Sequence, residues 1–127
     1  MSKFNLLLVD DDKINRILIK AMLSHHPELI SSVIEAENGK EALDIIENNP
    51  NINLVLLDIF MPVMDGKEFL KIFRSKKKYS NIPVIVLTTD DSKKSEILNL
   101  GADNILIKPA KEEELIKYIK YWDIEKE

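Results

Sequence analysis

Leu54-Val55-Leu56-Leu57-Asp58-Ile59-Phe60-Met61-Pro62-Val63-Met64-Asp65-Gly66 opens with an apolar run that carries no charge, is too short to span a membrane and is bounded by a Pro/Asp/Gly turn. Such a run reads as a β-strand buried on both faces. Asp58 then stands at the strand's C-terminal tip. In open α/β sheets that edge is where ligands bind, because strand ends and the loops that follow them form a crevice there. An aspartate after a strand also commonly starts a turn or caps a helix, so Asp58 taken alone assigns no function.

On either side of this stretch, strand-like runs alternate with segments of helical period. Asn5 to Val9 reads as a strand. The following segment, from about Lys13 to Ser24, places Ile14, Ile17, Leu18, Ala21 and Met22 on one stripe and predicts a helix buried along it, ended by His25-His26-Pro27. Ser32 to Ala36 is a more polar strand, suited to a sheet edge. A second helix spans Gly39 to Asn48, and a third, from about Gly66 to Lys77, is expected to bury Phe69, Leu70, Ile72 and Phe73. Pro83 to Leu87 is the fourth strand. Asp91-Ser92 caps a short helix with Ile97, Leu98 and Leu100 facing inward, which Gly101 stops. Ile105 to Ile107 and Lys111 to Tyr121 complete the series as the fifth strand and fifth helix. Five strands alternating with five helices predict a doubly wound α/β domain over residues 1–127: a parallel sheet, helices on both faces and right-handed crossovers.

Composition limits the function. A chain of 127 residues with 45% hydrophobic and 31% charged residues suits one globular domain with a real core. No apolar run approaches the length of a bilayer span, and Met1-Ser2-Lys3-Phe4 leads into the first strand rather than a signal peptide, so the expected compartment is the cytoplasm. The absence of cysteine excludes disulfides, thiol catalysis and cysteine-ligated metals. A net charge of -4 argues against a nucleic-acid surface, and the one basic run, Lys76-Lys77-Lys78, suits a solvated helix end.

With parallel strands, all C-terminal tips share one edge. Asp10-Asp11-Asp12 follows the first strand, Asp58 the third, Thr88-Thr89 the fourth and Lys108-Pro109 the fifth. An acid cluster, a second acid, a hydroxyl and an amine therefore converge. Carboxylates about 4 Å apart repel by about 4 kcal/mol at an effective dielectric of about 20, so such a cluster takes up protons or holds a cation. Mg²⁺ suits it, since that ion takes one or two carboxylates, keeps several waters and bridges to phosphate oxygens.

At these residues the chain resembles the receiver domains of two-component response regulators. The resemblance covers the whole chain and rests on Val9-Asp10-Asp11, Leu57-Asp58 running to Met61-Pro62 and Met64-Asp65-Gly66, Val86-Leu87-Thr88, Gly101-Ala102-Asp103 and Ile107-Lys108-Pro109, in that order. It implies a flavodoxin-like sheet of strand order 2-1-3-4-5, in which Asp10, Asp11 and Asp58 lie side by side. It further implies that Asp58 accepts a phosphoryl group and that Asp11, Asp58 and the Phe60 carbonyl ligate Mg²⁺, with Asp10 bound through water. Lys108 would neutralise phosphoryl charge, Thr88 would sense it, and the Lys108-Pro109 bond would be cis.

Implied partners are a sensor histidine kinase or histidine phosphotransfer protein, a downstream effector, and a phosphorylation-dependent homodimer, with no direct nucleic-acid or membrane contact. The domain would catalyse its own phosphorylation and dephosphorylation without being a conventional enzyme. Output would pass through the fourth helix, fifth strand and fifth helix, where Tyr118, Tyr121 and Trp122 serve either the core or a partner. His25 and His26 are read as ordinary surface histidines. Asn15-Arg16 resembles receiver domains of hybrid kinases. Ile105 stands where the family commonly has an aromatic switch residue, and Thr89 where it commonly has a smaller one. Two alternatives compete: a haloacid-dehalogenase-like phosphatase with Asp10 as nucleophile and Asp12 as acid/base, which leaves Asp58 without a role, and an interaction module that is not phosphorylated, which leaves the complete acid-Lys-Thr set without one.

Overall fold

Helix starts follow the capping chemistry written in the sequence. Asp12 accepts the amides of Ile14 and Asn15 at the head of α1 (Lys13–Ser24), Asn38 that of Glu41 for α2 (Gly39–Asn48), and Asp65 that of Glu68 for α3 (Gly66–Ser75). The structure, a computed structural model, describes residues 3–61 and 63–125; the sequence expectations that touch Met1, Ser2 and Pro62 lie outside them. The remaining elements are β1 (Phe4–Val9), β2 (Ile30–Ala36), β3 (Leu54–Asp58), β4 (Val84–Thr88), α4 (Lys94–Asn99), β5 (Asn104–Ile107) and α5 (Glu112–Glu125). All strand pairs are parallel, in the order β2-β1-β3-β4-β5.

Alternation along the strands divides the core into two layers. Leu7, Val9, Val55, Leu57, Val84 and Val86 pack with Ala42, Ile46, Phe69, Leu70, Phe73 and Ile97 from α2, α3 and α4. Leu6, Leu8, Leu54, Leu56, Ile85, Leu87 and Leu106 face Ile19, Leu23, Leu115, Ile116 and Ile119 from α1 and α5. β1, β3 and β4 are thus covered on both faces, as the charge-free run at Leu54 predicted.

Several sequence expectations need correction. α1 buries Arg16, Ile19 and Leu23, whereas Ile14, Ile17 and Leu18 are about half or more exposed. The inward face packs Ile19 and Leu23 against Leu6 and Leu8 and pairs Arg16 with Glu35 and the Asp10 carbonyl, and it leaves the predicted stripe outside. Leu98 is exposed and Ile97 alone of its pair points inward, because α4 is barely more than one turn. Ile72 is only half-buried. α3 stops at Ser75, and Lys77–Tyr79 form a separate 3-10 turn that tucks Tyr79 against Phe73. A second 3-10 turn, Asp91–Lys93, precedes α4, and Asp90 rather than Asp91 caps it. α5 continues past Tyr121 to Glu125.

Candidate functional site

The register Val9↔Leu57 sets the tips of β1 and β3 side by side, and with them Asp10 and Asp58. Ligand oxygens of Asp10, Asp11 and Asp58 lie within 4.8 Å of one another. Asp10 and Asp58 are buried and Asp11 is exposed. Across the sheet, Thr88 pairs with Ile107, and the Lys108 amide donates to the Thr88 carbonyl at 2.8 Å. The Lys108-Pro109 bond is cis. Lys108 Nζ reaches Asp58 Oδ1 at 3.1 Å and Asp10 Oδ2 at 3.4 Å. The cleft has a volume of about 250 Å³ and is lined by Asp10, Asp11, Asp12, Asn15, Asp58, Phe60, Thr89 and Lys108.

The loop after β3 is held tightly. The Gly66 amide donates to the Ile59 carbonyl at 2.8 Å, and a Cβ at Gly66 would stand 2.5 Å from the Asp58 carbonyl oxygen. Only glycine permits α3 to start this close to the tip of β3.

Electrostatics single out Asp58. Burial pushes its carboxyl up to about 6, with Lys108 working against the rise and Asp10 and Asp11 adding to it. Burial would lower the Lys108 ammonium, yet Asp58 and Asp10 outweigh it and hold the group above its ordinary value. Three hard carboxylates with the one half-buried ammonium of Lys108 to share still carry excess negative charge, which suits a hard divalent ion. The donor set fits such an ion.

Of the residues singled out from sequence, Asp10, Asp11, Asp58, Phe60 and Lys108 meet in this cleft. Thr88 does not line it: its side chain is fully buried, and its hydroxyl oxygen accepts the Asp90 amide at 3.2 Å. Asp12 caps α1 instead of presenting an acid/base group, and both Asp10 oxygens are engaged, by the Asp12 amide and by Lys108. Asn15 and Thr89 also line the cleft, although neither has a role there in the sequence reading. Asn15 lies in the first turn of α1, three residues after the Asp12 cap that follows the acid pair, a position that could have flagged it. His25 and His26 both clasp Glu112, at 3.1 and 3.0 Å, and neither lines the cleft.

Comparison with known proteins agrees with this geometry. The family model "Response regulator receiver domain" matches residues 6–120. A "Chemotaxis protein CheY homolog" from Campylobacter jejuni is 38% identical over 106 residues, covering 82% of this chain and 80% of the relative. Among solved structures, Vibrio cholerae chemotaxis protein CheY4 superposes with a TM-score of 0.83 at 31% identity, over 94% of this chain and 98% of that one. The receiver domain of sensor histidine kinase PA1611 from Pseudomonas aeruginosa, solved with a magnesium ion coordinated in its active site cleft, gives a TM-score of 0.83 at 27% identity over 95% and 98% of the two chains. Fold, tip chemistry and relatives agree, and the chain belongs to the receiver domains of two-component response regulators.

Proposed function

We propose that residues 1–127 act as one phosphoryl switch in which Asp58 is the acceptor. The observation that carries the proposal is the convergence of Asp10, Asp11 and Lys108 on Asp58, the acid whose proton affinity the site raises furthest among the described residues. One Asp58 carboxylate oxygen attacks the phosphorus of a phosphohistidine on a sensor kinase or phosphotransfer protein. An O–P bond forms as the P–N bond breaks, and the imidazole leaves with that electron pair. Asp10, Asp11, Asp58 and the Phe60 carbonyl would hold Mg²⁺, a proposal supported by the donor set and by the magnesium ion in the cleft of the Pseudomonas relative. When bound, the ion supplies neutralisation of charge on the transferring group. Lys108 is placed to stabilise the same charge, and most of the rate in such chemistry comes from positioning and electrostatics.

The phosphatase alternative is not favoured. Asp10 is 1% exposed with both oxygens engaged, and Asp12 is committed to its cap. Intact mass after incubation with a small phosphodonor and Mg²⁺ tests the choice: one phosphate on the wild type, slower addition of one to Asp10→Asn, and none on Asp58→Asn, is the expected result. Phosphate retained in Asp58→Asn and lost in Asp10→Asn supports the phosphatase instead.

The exposed row of Ile14, Ile17 and Leu18 on α1 offers apolar ground for the phosphohistidine partner. A groove of about 1130 Å³ along α5, lined among others by Asn104, Ile116, Tyr118, Tyr121 and Trp122, supports an output surface on α4, β5 and α5 for an effector or a second phosphorylated copy. Tyr121 is exposed, while the Trp122 indole donates to Asn104 at 2.8 Å, so these rings divide between surface and packing. Among the described residues no helix is long and apolar enough to cross a membrane.

A further inference from the structure

Among the described residues, the buried polar or charged side chains are Asp10, Arg16, Asp58 and Thr88. Three of these stand at strand tips, Asp10 and Asp58 in the cleft and Thr88 behind it. The fourth, Arg16, comes from a helix, and its burial needs a reason, because a guanidinium stays charged and loses much free energy out of water unless it is paired. Its Nη1 donates to the main-chain carbonyl of Asp10 at 2.6 Å, and its Nε donates to Glu35 Oε1 on β2 at 2.8 Å. Glu35 Oε2 is held in turn by Lys20 at 2.8 Å.

Resting on the phosphoacceptor reading, we propose that Arg16 is a positioning residue that sets the Asp10-Asp11 peptide, so that both carboxylates face Asp58 and the cation. β1 ends at Val9, and the Asp10 amide still donates to Ala36 at 3.0 Å while the Asp10 carbonyl lies past the ladder. Arg16 supplies the donor that carbonyl lacks. The peptide unit is planar, so fixing the Asp10 carbonyl also fixes the direction of the Asp11 amide and the Cα from which the Asp11 carboxylate projects. A charge-assisted bond at the short end of the range is suited to this task. Glu35 steadies the guanidinium from the far side, which ties the acid cluster to edge strand β2.

A purely structural tether between α1 and β2 would depend equally on Arg16 and Glu35 and would leave cation binding alone. The test is therefore a Mg²⁺ titration by calorimetry on folded wild type, Arg16→Met, Arg16→Lys and Glu35→Leu, with urea stability measured in parallel. Outer-shell partners of metal ligands cost about 10–100-fold in affinity when removed. Arg16→Met is expected to weaken Mg²⁺ binding by about tenfold or more, with Arg16→Lys recovering part of the loss through a single bond to the Asp10 carbonyl. Glu35→Leu lowers stability with a smaller effect on affinity. Amide hydrogen exchange without cation adds a second readout: the Asp12 amide, bonded to Asp10 Oδ1 at 2.9 Å, loses protection in Arg16→Met while the middle of α1 keeps it. Wild type that binds Mg²⁺ with the same constant as Arg16→Met overturns the inference alone, whereas wild type that binds none overturns the phosphoacceptor reading and the inference with it. If Arg16→Met does not fold, Arg16→Lys and Glu35→Leu decide the question, since unchanged affinity in both contradicts the link.

Discussion

Lys108 Nζ stands 3.1 Å from Asp58 Oδ1, the one direct cation contact of that buried carboxylate among the described residues. Its charge would compete with a divalent cation for the same oxygens, yet would help the same cation stabilise an incoming phosphoryl group. Lys108→Met is therefore expected to bind Mg²⁺ as tightly as wild type or more tightly, while phosphorylation by a small donor slows by about 100-fold, the usual cost of one lost charge-stabilising donor. Titration and timed intact mass measure the two quantities. A fall in both would show that Lys108 mainly holds the site together.

The raised carboxyl of Asp58 links pH to stability. Between the ordinary carboxylate range and about pH 6, the folded protein keeps a proton on Asp58 that the unfolded chain has lost, so this group's contribution to stability declines as pH rises through that window. Asp58→Asn should stabilise the apo protein by about 1–2 kcal/mol near pH 7, the shift being discounted for solvent screening at the cleft mouth. The gain should shrink toward about pH 4. Urea melts at both pH values check it, and equal stability of the two proteins near pH 7 would count against burial as the cause.

Phe60, 55% exposed at the mouth of the cleft, can obstruct a water that approaches phosphorus but cannot orient one. Asp90, two residues after Thr88, cannot orient a water through its Oδ1, which takes the Ser92 amide at 3.0 Å and the Ser92 hydroxyl at 2.6 Å. Phe60→Asn should shorten the phosphoprotein's lifetime several-fold, followed by loss of the added mass with time. An unchanged decay would mean that water reaches phosphorus by another route.

Gly101 has φ of +112°, and a Cβ there would stand 2.5 Å from Arg74 Cγ. Arg74 ties α3 to this loop through the Gly101 carbonyl and Asp103, both at 2.9 Å. Gly101→Ala is expected to destabilise by about 1–3 kcal/mol, from backbone strain and displacement of the guanidinium. A denaturation midpoint equal to wild type would show that the loop relaxes freely.

Ile105 is β-branched and has few rotamers with which to follow a movement of Thr88, so output should depend on the loop after β4. A phosphoryl mimic with Mg²⁺ should shift amide signals of residues 89–94 and 104–122, and sedimentation should show whether dimers follow. Shifts confined to the residues around Asp58 would remove α4, β5 and α5 from the output path.

The element order, the parallel sheet and the tip residues Asp10, Asp11, Asp58, Thr88 and Lys108 were legible in the chain. A strand buried on both faces is an apolar run whatever surrounds it, and the residue that ends it must lie on the ligand edge. Local capping signals at Asp12, Asn38 and Asp65 were equally direct, because their bonds close within a few residues. The rotation of α1 was not, since the face that turns inward, with Ile19, Leu23 and Arg16, is chosen by partners on other elements: the apolar layer of Leu6 and Leu8, the Asp10 carbonyl and Glu35. The same holds for Thr88 sinking behind Thr89, for Leu98 facing out, and for the raised carboxyl of Asp58. Each is a sum over neighbours that chain spacing does not encode: burial and field come from segments far apart in sequence, and they acquire values only when the sheet brings those segments together.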